Sequence, residues 1–347
     1  MPATLDVVTI PGDGIGPEVM SAVRAVLDAA EAPLTCHDHL AGESALAAGG
    51  AVLPDATIDA VRAHGLALKG PCTTPVGKGF RSVNVQLRQT LDLYAAVRPV
   101  RSIDGVPTPY EDVDLVIFRE NTEGLYSGVE DEIKPGLITT LKIVSREASE
   151  RIARAALAYV EHRGRRKLTV FHKANIMKRS DGLFLECVEK VHAEEFPDVT
   201  VDTVIIDAGC MRLVQDPSQF DVMVMENFYG DVVSDLTAGL VGGLGVVPGA
   251  NVGKRVAVFE AVHGSAPDIA GRGVANPLAL LMSAVMMLNH VREHGLGGEA
   301  IAAACGASAE RIKRGYNAAL HDGQKTRDLG GELGTEAFAR AVIDRLS

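Results

Sequence analysis

The chain predicts an α/β architecture with a largely parallel or mixed sheet, on three observations. Short β-like runs alternate with amphipathic stretches along most of the length. Glycine and proline punctuate the joins, as at Gly12–Gly16 and Pro17 after the first run. The 347 residues, 47% apolar, suffice for two domains or one large α/β unit.

The elements follow in order. Leu5–Ile10 reads as a strand, followed by glycine turns and a helix from about Pro17 to Ala30. Leu66–Lys69, Leu115–Phe118, Leu168–Phe171, Val201–Asp207 and Val222–Met225 are further short strands. Ala148–His162, Gly182–Glu195 and the long apolar Pro277–His294 read as helices. Ser82 and Asn84 are expected to precede a helix, with Arg88 near its start and Arg98 after it. Leu236–Gly253 is a long uncharged run. Its six glycines and one proline favour turns and tight packing over a membrane span.

Composition narrows the function classes. A net charge of −11, aromatic content of 4% and no Trp disfavour a nucleic-acid surface. The five cysteines form no C-x-x-C, which argues against a disulfide framework or zinc knuckle and suits a reducing, cytoplasmic setting. No targeting segment is evident in MPATLDVVTIPGDG.

Gly12-Asp-Gly-Ile-Gly16 is G-x-G-x-G, not G-x-G-x-x-G, and reads as a tight strand-to-helix turn, so no Rossmann site is assigned to it. Asp231 and Asp235 are one turn apart on one face of a helical segment, NFYGDVVSDLTAGL. The pair suits a hard divalent cation, although spacing by itself favours two solvated acids. Arg88, Arg98 and Arg119 sit beside loops. If they converge, they can hold a ligand with several carboxylates, with Ser82 adding a hydroxyl. Tyr126, in RENTEGLY, is a candidate proton donor or else a structural tyrosine. Lys173, in HKANIMK, is a candidate for proton exchange or else an exposed lysine. The small-residue loop from His263 to Gly271 lets backbone amides approach a phosphate or ribose.

Together, IPGDGIGPE, RENTEGLY, HKANIMK, NFYGDVVSDLTAGLVGGLGVVPGAN, HGSAPDIAG and TRDLGG resemble the β-decarboxylating dehydrogenases, the isocitrate and 3-isopropylmalate dehydrogenase family, over nearly the whole chain. The resemblance implies that family's two-domain fold with a mixed sheet. Residues 1–93 and 243–347 would form a large domain on the cofactor side. Residues 94–242 would form a small one, with a dimer-forming clasp near 125–150. The segment Arg81-Ser-Val-Asn84 is similar to that of isocitrate dehydrogenases. Ser82, Asn84, Arg88, Arg98 and Arg119 would then bind the hydroxy-tricarboxylate, and Tyr126 would be the acid. Lys173 would act in proton transfer, reaching into the other subunit's site. Asp231 and Asp235, with Asp207 from the partner chain, would hold Mg²⁺ or Mn²⁺.

Thr73, His263, Gly264, Ser265, Ala266, Asp268, Ile269, Asn276 and Asp328 would bind the nicotinamide cofactor. Asp268 and Ile269 stand where NADP-dependent relatives carry Lys and Tyr. An Asp there repels a 2′-phosphate and accepts from ribose hydroxyls, which implies NAD⁺, while Arg327 could still meet a phosphate. The implied reaction is oxidative decarboxylation of isocitrate to 2-oxoglutarate by a homodimer with shared active sites. The alternatives are a related acid (homoisocitrate, 3-isopropylmalate, tartrate or a modified malate) or a regulatory subunit without turnover. Two departures from the family pattern are Glu226, where Asp is common, and the run Asp207-Ala-Gly-Cys-Met.

Overall fold

A computed structural model describes residues 3–75 and 79–346; residues 76–78, in the loop before Ser82, lie outside the described residues. In chain order the first strands are β1 (Leu5–Ile10), β2 (Leu34–Asp38), β3 (Leu66–Lys69), β4 (Ala95–Arg101), β5 (Asp114–Glu120), β6 (Glu130–Lys134) and β7 (Leu137–Thr140). Then come β8 (Leu168–His172), β9 (Val201–Ile205), β10 (Val222–Met225), β11 (Pro248–Val252) and β12 (Ala257–Ala261). The helices up to the middle are α1 (Gly16–Ala29), α2 (Glu43–Ala47), α3 (Asp55–His64), α4 (Val83–Thr90), α5 (Arg146–His162) and α6 (Ser180–Glu195). The rest are α7 (Ile206–Gln215), α8 (Asn227–Leu240), α9 (Leu278–His294), α10 (Glu299–His321) and α11 (Thr335–Ile343).

Ten strands form one mixed sheet in the order β2-β1-β3-β12-β11-β4-β5-β10-β8-β9. Two parallel groups, β2-β1-β3-β12 and β5-β10-β8-β9, flank a central pair, β11 and β4, whose pairings are all antiparallel. The chain builds the first group, crosses through β4, builds the second, and returns through β11 and β12. Strands buried on both faces read as unbroken apolar runs, as in VMVM of β10. Alternate residues sort to opposite faces. Val7 joins a core under α1, α9 and α10, whereas Val8 joins one with Val61 and Leu87. In the other half, Val116 and Phe118 pack with Ile152 and Val188 of α5 and α6. Strands β6 and β7 form a separate exposed hairpin.

Several expectations need correction. The predicted strand Val201–Asp207 stops at Ile205, and Asp207 lies in the first turn of α7, where a carboxylate suits the helix N-terminus. Ser82 itself caps α4, accepting from Val85 N at 3.5 Å. Asn84 is therefore inside that helix and Arg88 is in its last turn, whereas Ser82 precedes the helix and Arg98 follows it, within β4, as expected. Leu236–Gly253 is divided between the end of α8 and strand β11. The 23-residue α10 was not predicted. Gly306 and Gly315 interrupt its pattern because a Cβ at Gly306 would meet Arg292 Cδ at 2.5 Å, and one at Gly315 would meet Val342 O at 3.0 Å. Among the described residues no helix is long and apolar enough to cross a membrane.

Candidate active site

A cavity of about 220 Å³ lies at the centre of the sheet, lined from β3, α4, β4, β5, α8, β12 and the loops beyond β3, β5 and β12. Ser82, Asn84, Arg88, Arg98, Arg119, Tyr126, Asp231 and Asp235 all line it. The three arginines thus converge from one helix and two adjacent antiparallel strands.

Arg119 is 1% exposed. Its Nε and Nη2 donate to Asn227 Oδ1 at 2.9 and 2.7 Å, and its Nη1 pairs with Asp231. Gly230 makes room for it, since a Cβ there would meet Arg119 Cγ at 2.5 Å. The other Asp231 oxygen accepts the Tyr126 hydroxyl. The Arg119 guanidinium also lies 5.1 Å from the Tyr126 ring centroid. Arg98 Nη1 donates to Ser234 Oγ at 2.9 Å and lies 3.8 Å from Asp235 Oδ1.

Burial lowers Arg119 to about 10, with Arg88 pushing the same way and Asp231 opposing. It therefore stays charged at neutral pH. Burial alone would raise Asp231, but Arg119, the Tyr126 hydrogen bond and Arg98 outweigh it, so its carboxyl titrates below the ordinary value. Asp235 goes the other way: burial and Asp231 raise it against the pull of Arg98. Burial, then Asp231, raises the Tyr126 hydroxyl, so it holds its proton.

The sequence did not point to the base of the cavity. Glu260 takes Lys69 Nζ at 2.7 Å, Arg88 Nη2 at 3.0 Å and Asn251 Nδ2 at 2.7 Å. Burial would raise Glu260, but Lys69 and Arg88 override it and hold the carboxyl far below the usual range. The available signal was a charged residue in each of two short apolar strands, LALK and AVFEA. Among the described residues, Arg88 Nε and Asn84 Oδ1 are buried without hydrogen-bond partners, so the cavity offers a donor and an acceptor to a bound molecule.

His263 and Gly264 line the same cavity, and burial keeps the His263 ring neutral. Thr73 Oγ1 lies 2.9 Å from Ser265 Oγ. Ala266 adopts φ 39°, and the exposed Asp268 and the adjacent Ile269 follow in the same turn. Asn276 Nδ2 donates to Asp328 Oδ2 at 2.9 Å. Gly12 and Gly14 form no open cradle: a Cβ on either would fall 2.0 Å from the carbonyl oxygen of Pro71 or Ser265. These glycines let three loops close on one another, and Asp13 accepts from Ser44 N and Thr73 N at 2.9 and 2.8 Å.

Lys173 and Asp207 are not among the cavity-lining residues. They pair with each other at 2.5 Å, and the Asp207 side chain is 69% exposed. Within one chain, Asp231 and Asp235 are the members of the expected metal set that line the cavity. Their hard oxygen donors fit Mg²⁺ or Mn²⁺, with a third carboxylate still to be supplied.

The isocitrate/isopropylmalate dehydrogenase family model matches residues 6–344. An Arabidopsis thaliana protein named isocitrate dehydrogenase [NAD] catalytic subunit 5, mitochondrial, is 46% identical over 97% of this chain and 87% of its own length. A chloroplastic 3-isopropylmalate dehydrogenase of Solanum tuberosum is 49% identical over 82% of this chain and 80% of its own. The crystal structure of isocitrate dehydrogenase from Methylococcus capsulatus superposes with a TM-score of 0.92 at 45% identity, covering 99% of both chains. With RENTEGLY, NFYGDVVSDLTAGL and HGSAPDIAG all contributing to one cavity and the match running end to end, the chain belongs to the isocitrate/isopropylmalate dehydrogenase family of enzymes.

Proposed function

We propose that the protein is an NAD-dependent, metal-dependent isocitrate dehydrogenase that forms 2-oxoglutarate and CO₂. The observation that carries this reading is the meeting of Ser82 and Asn84 with Arg88, Arg98 and Arg119 around one cavity. Three guanidinium groups match a trianion, and the short polar pair matches a carboxylate-bearing arm better than a branched apolar one. The names of relatives such as the Arabidopsis subunit add support.

When bound, NAD⁺ would accept the hydride, and a divalent ion held by Asp231, Asp235 and a second copy's Asp207 would acidify the substrate hydroxyl. The arginines neutralise the trianion and orient it. Lys173, entering from a second copy, takes up the hydroxyl proton. Tyr126 gives its proton to the carbon that lost CO₂. The exposed Asp268 favours adenosine ribose over a 2′-phosphate.

The homodimer reading is supported by exposed apolar side chains on the β6–β7 hairpin (Ile133, Leu137, Ile138), on α7 (Met211, Val214) and on α8 (Phe228, Val232). The order of the chain through the sheet supports a large domain of 1–93 and 243–347 and a small one of 94–242, with the clasp near 125–150. A cytoplasmic setting is supported by the five free cysteines.

The deciding assay follows absorbance of the reduced nicotinamide with isocitrate, Mg²⁺ or Mn²⁺, and NAD⁺ or NADP⁺, against an EDTA control. Metal-dependent reduction of NAD⁺ is expected. The 49% identity to the potato 3-isopropylmalate dehydrogenase favours one second reading, so faster turnover of 3-isopropylmalate would replace isocitrate as the substrate.

A further inference from the structure

Lys142, just beyond β7, sits in a buried charge cluster away from the cavity lining. Its ammonium pairs with Asp181 Oδ1 at 2.5 Å and with Glu226 Oε2. It also lies 5.0 Å from the Tyr229 ring centroid. The fully buried Asp181 uses its other oxygen to accept the backbone N–H of Lys173 at 2.7 Å and the Tyr229 hydroxyl at 3.1 Å. Glu226 is 6% exposed and is the residue before α8; its Oε1 has no partner among the described residues. It lines a cavity of about 190 Å³ with Leu125, Met177, Phe228 and Tyr229.

One ammonium therefore ties together three segments: the hairpin exit, the turn bearing Lys173, and the start of the helix bearing Asp231 and Asp235. A cation between two buried carboxylates leaves one negative charge unbalanced, and burial favours discharging it by protonation. Glu226 is placed to take that proton, because Asp181 is held by Lys142, Lys173 N, Tyr229 and Ser180 whereas the Glu226 carboxyl, among the described residues, meets Lys142 alone. The groups facing Glu226 are Lys142, Asp181 on α6, Glu120 at the end of β5 and Tyr229 on α8. Burial raises Glu226 to about 7 against the pull of Lys142, with Asp181 and Glu120 adding to the rise.

We infer that Lys142 and Glu226 form a positioning latch for Lys173, acting through Asp181 and responding to uptake of one proton. When Glu226 is ionised, Lys142 is shared between two carboxylates. When Glu226 is protonated, Lys142 belongs to Asp181 alone and holds the Lys173 turn more tightly. The inference rests on the reading of Lys173 as the proton-transfer residue.

The test measures hydrogen–deuterium exchange of the segment 173–178, corrected for intrinsic pH dependence, together with kcat and KM from pH 6 to 8. Lys142→Met is expected to speed exchange there about tenfold and to lower kcat about tenfold, with KM for isocitrate within about twofold. Lys142→Arg should restore both. Glu226→Gln, permanently neutral, should remove the change in corrected exchange and in kcat that the parent shows near pH 7. Parent-like exchange in Lys142→Met overturns the latch. So does Glu226→Gln with the parent's pH dependence, which settles the matter if Lys142→Met does not fold. Faster exchange with unchanged kcat overturns the catalytic purpose. A parent inactive on every acid tried rejects the reaction and that purpose together, while exchange still decides whether the latch holds the turn.

Discussion

Tyr126 donates its hydroxyl hydrogen to Asp231, whose other oxygen pairs with the buried Arg119. The candidate acid and a candidate metal ligand are thus joined directly. Replacing Tyr126 with Phe removes the donor but leaves the ring over Arg119. Turnover should fall by about 10² or more, the usual worth of a positioned acid, while the fold survives. Steady-state kinetics beside a thermal melt would check this; an unchanged kcat would remove Tyr126 from the chemistry.

Gly230→Ala tests the seating of Arg119. Alanine in a helix is ordinarily better than glycine by about 1 kcal/mol. Here the added carbon would lie 2.5 Å from Arg119 Cγ, and overpacking of that kind costs about 1–3 kcal/mol. The clash should win, lowering the melting temperature and raising KM for isocitrate as the guanidinium shifts. A more stable variant with parent KM would show that Arg119 has room to spare.

Glu260 gives a pH prediction with a definite sign. Its carboxyl is held well below its unfolded value by Lys69 and Arg88 against burial. That stabilisation is fully present above the unfolded value, near pH 4.5, and is lost as the pH falls toward the folded value. Glu260→Gln should cost about 3–5 kcal/mol at neutral pH, because two buried cations lose their counter-charge. It should also flatten the acid limb of the stability curve. Denaturant melts from pH 7 down to 3 would show both effects, and a variant as stable as the parent would contradict them.

Asp268 is exposed, so it can be changed with little effect on the fold. Asp268→Lys should raise the ratio of NADP⁺ to NAD⁺ efficiency by about tenfold, since one new favourable contact to a phosphate is worth about 1.5 kcal/mol. Measuring kcat/KM for both cofactors decides it, and an unchanged ratio would place discrimination elsewhere.

Much of the cavity was legible because its residues announce their chemistry locally. Arg119 ends an apolar strand, Asp231 and Asp235 share a helix face, and Ser82 is a helix cap. Lys69 and Glu260 were harder to read. They are 191 positions apart and become partners only because β12 pairs with β3. The Lys142, Asp181 and Glu226 cluster was hidden for the same reason. Lys173 was singled out from its local run and Asp207 from the family pattern, and one chain keeps both apart from the cavity lining. Helix α10 escaped because its glycines serve neighbours contributed by α9 and by the chain beyond it.

The return of the chain through β11 and β12 has a consequence for synthesis on the ribosome. β12 slots between β3 and β11, so the middle of the sheet stays open until residue 261 has been made. A nascent chain halted earlier already carries Lys69 and Arg88 but lacks the carboxylate that neutralises them. A polypeptide that stops short of β12 is thereby barred from balancing the buried charges of its own pocket.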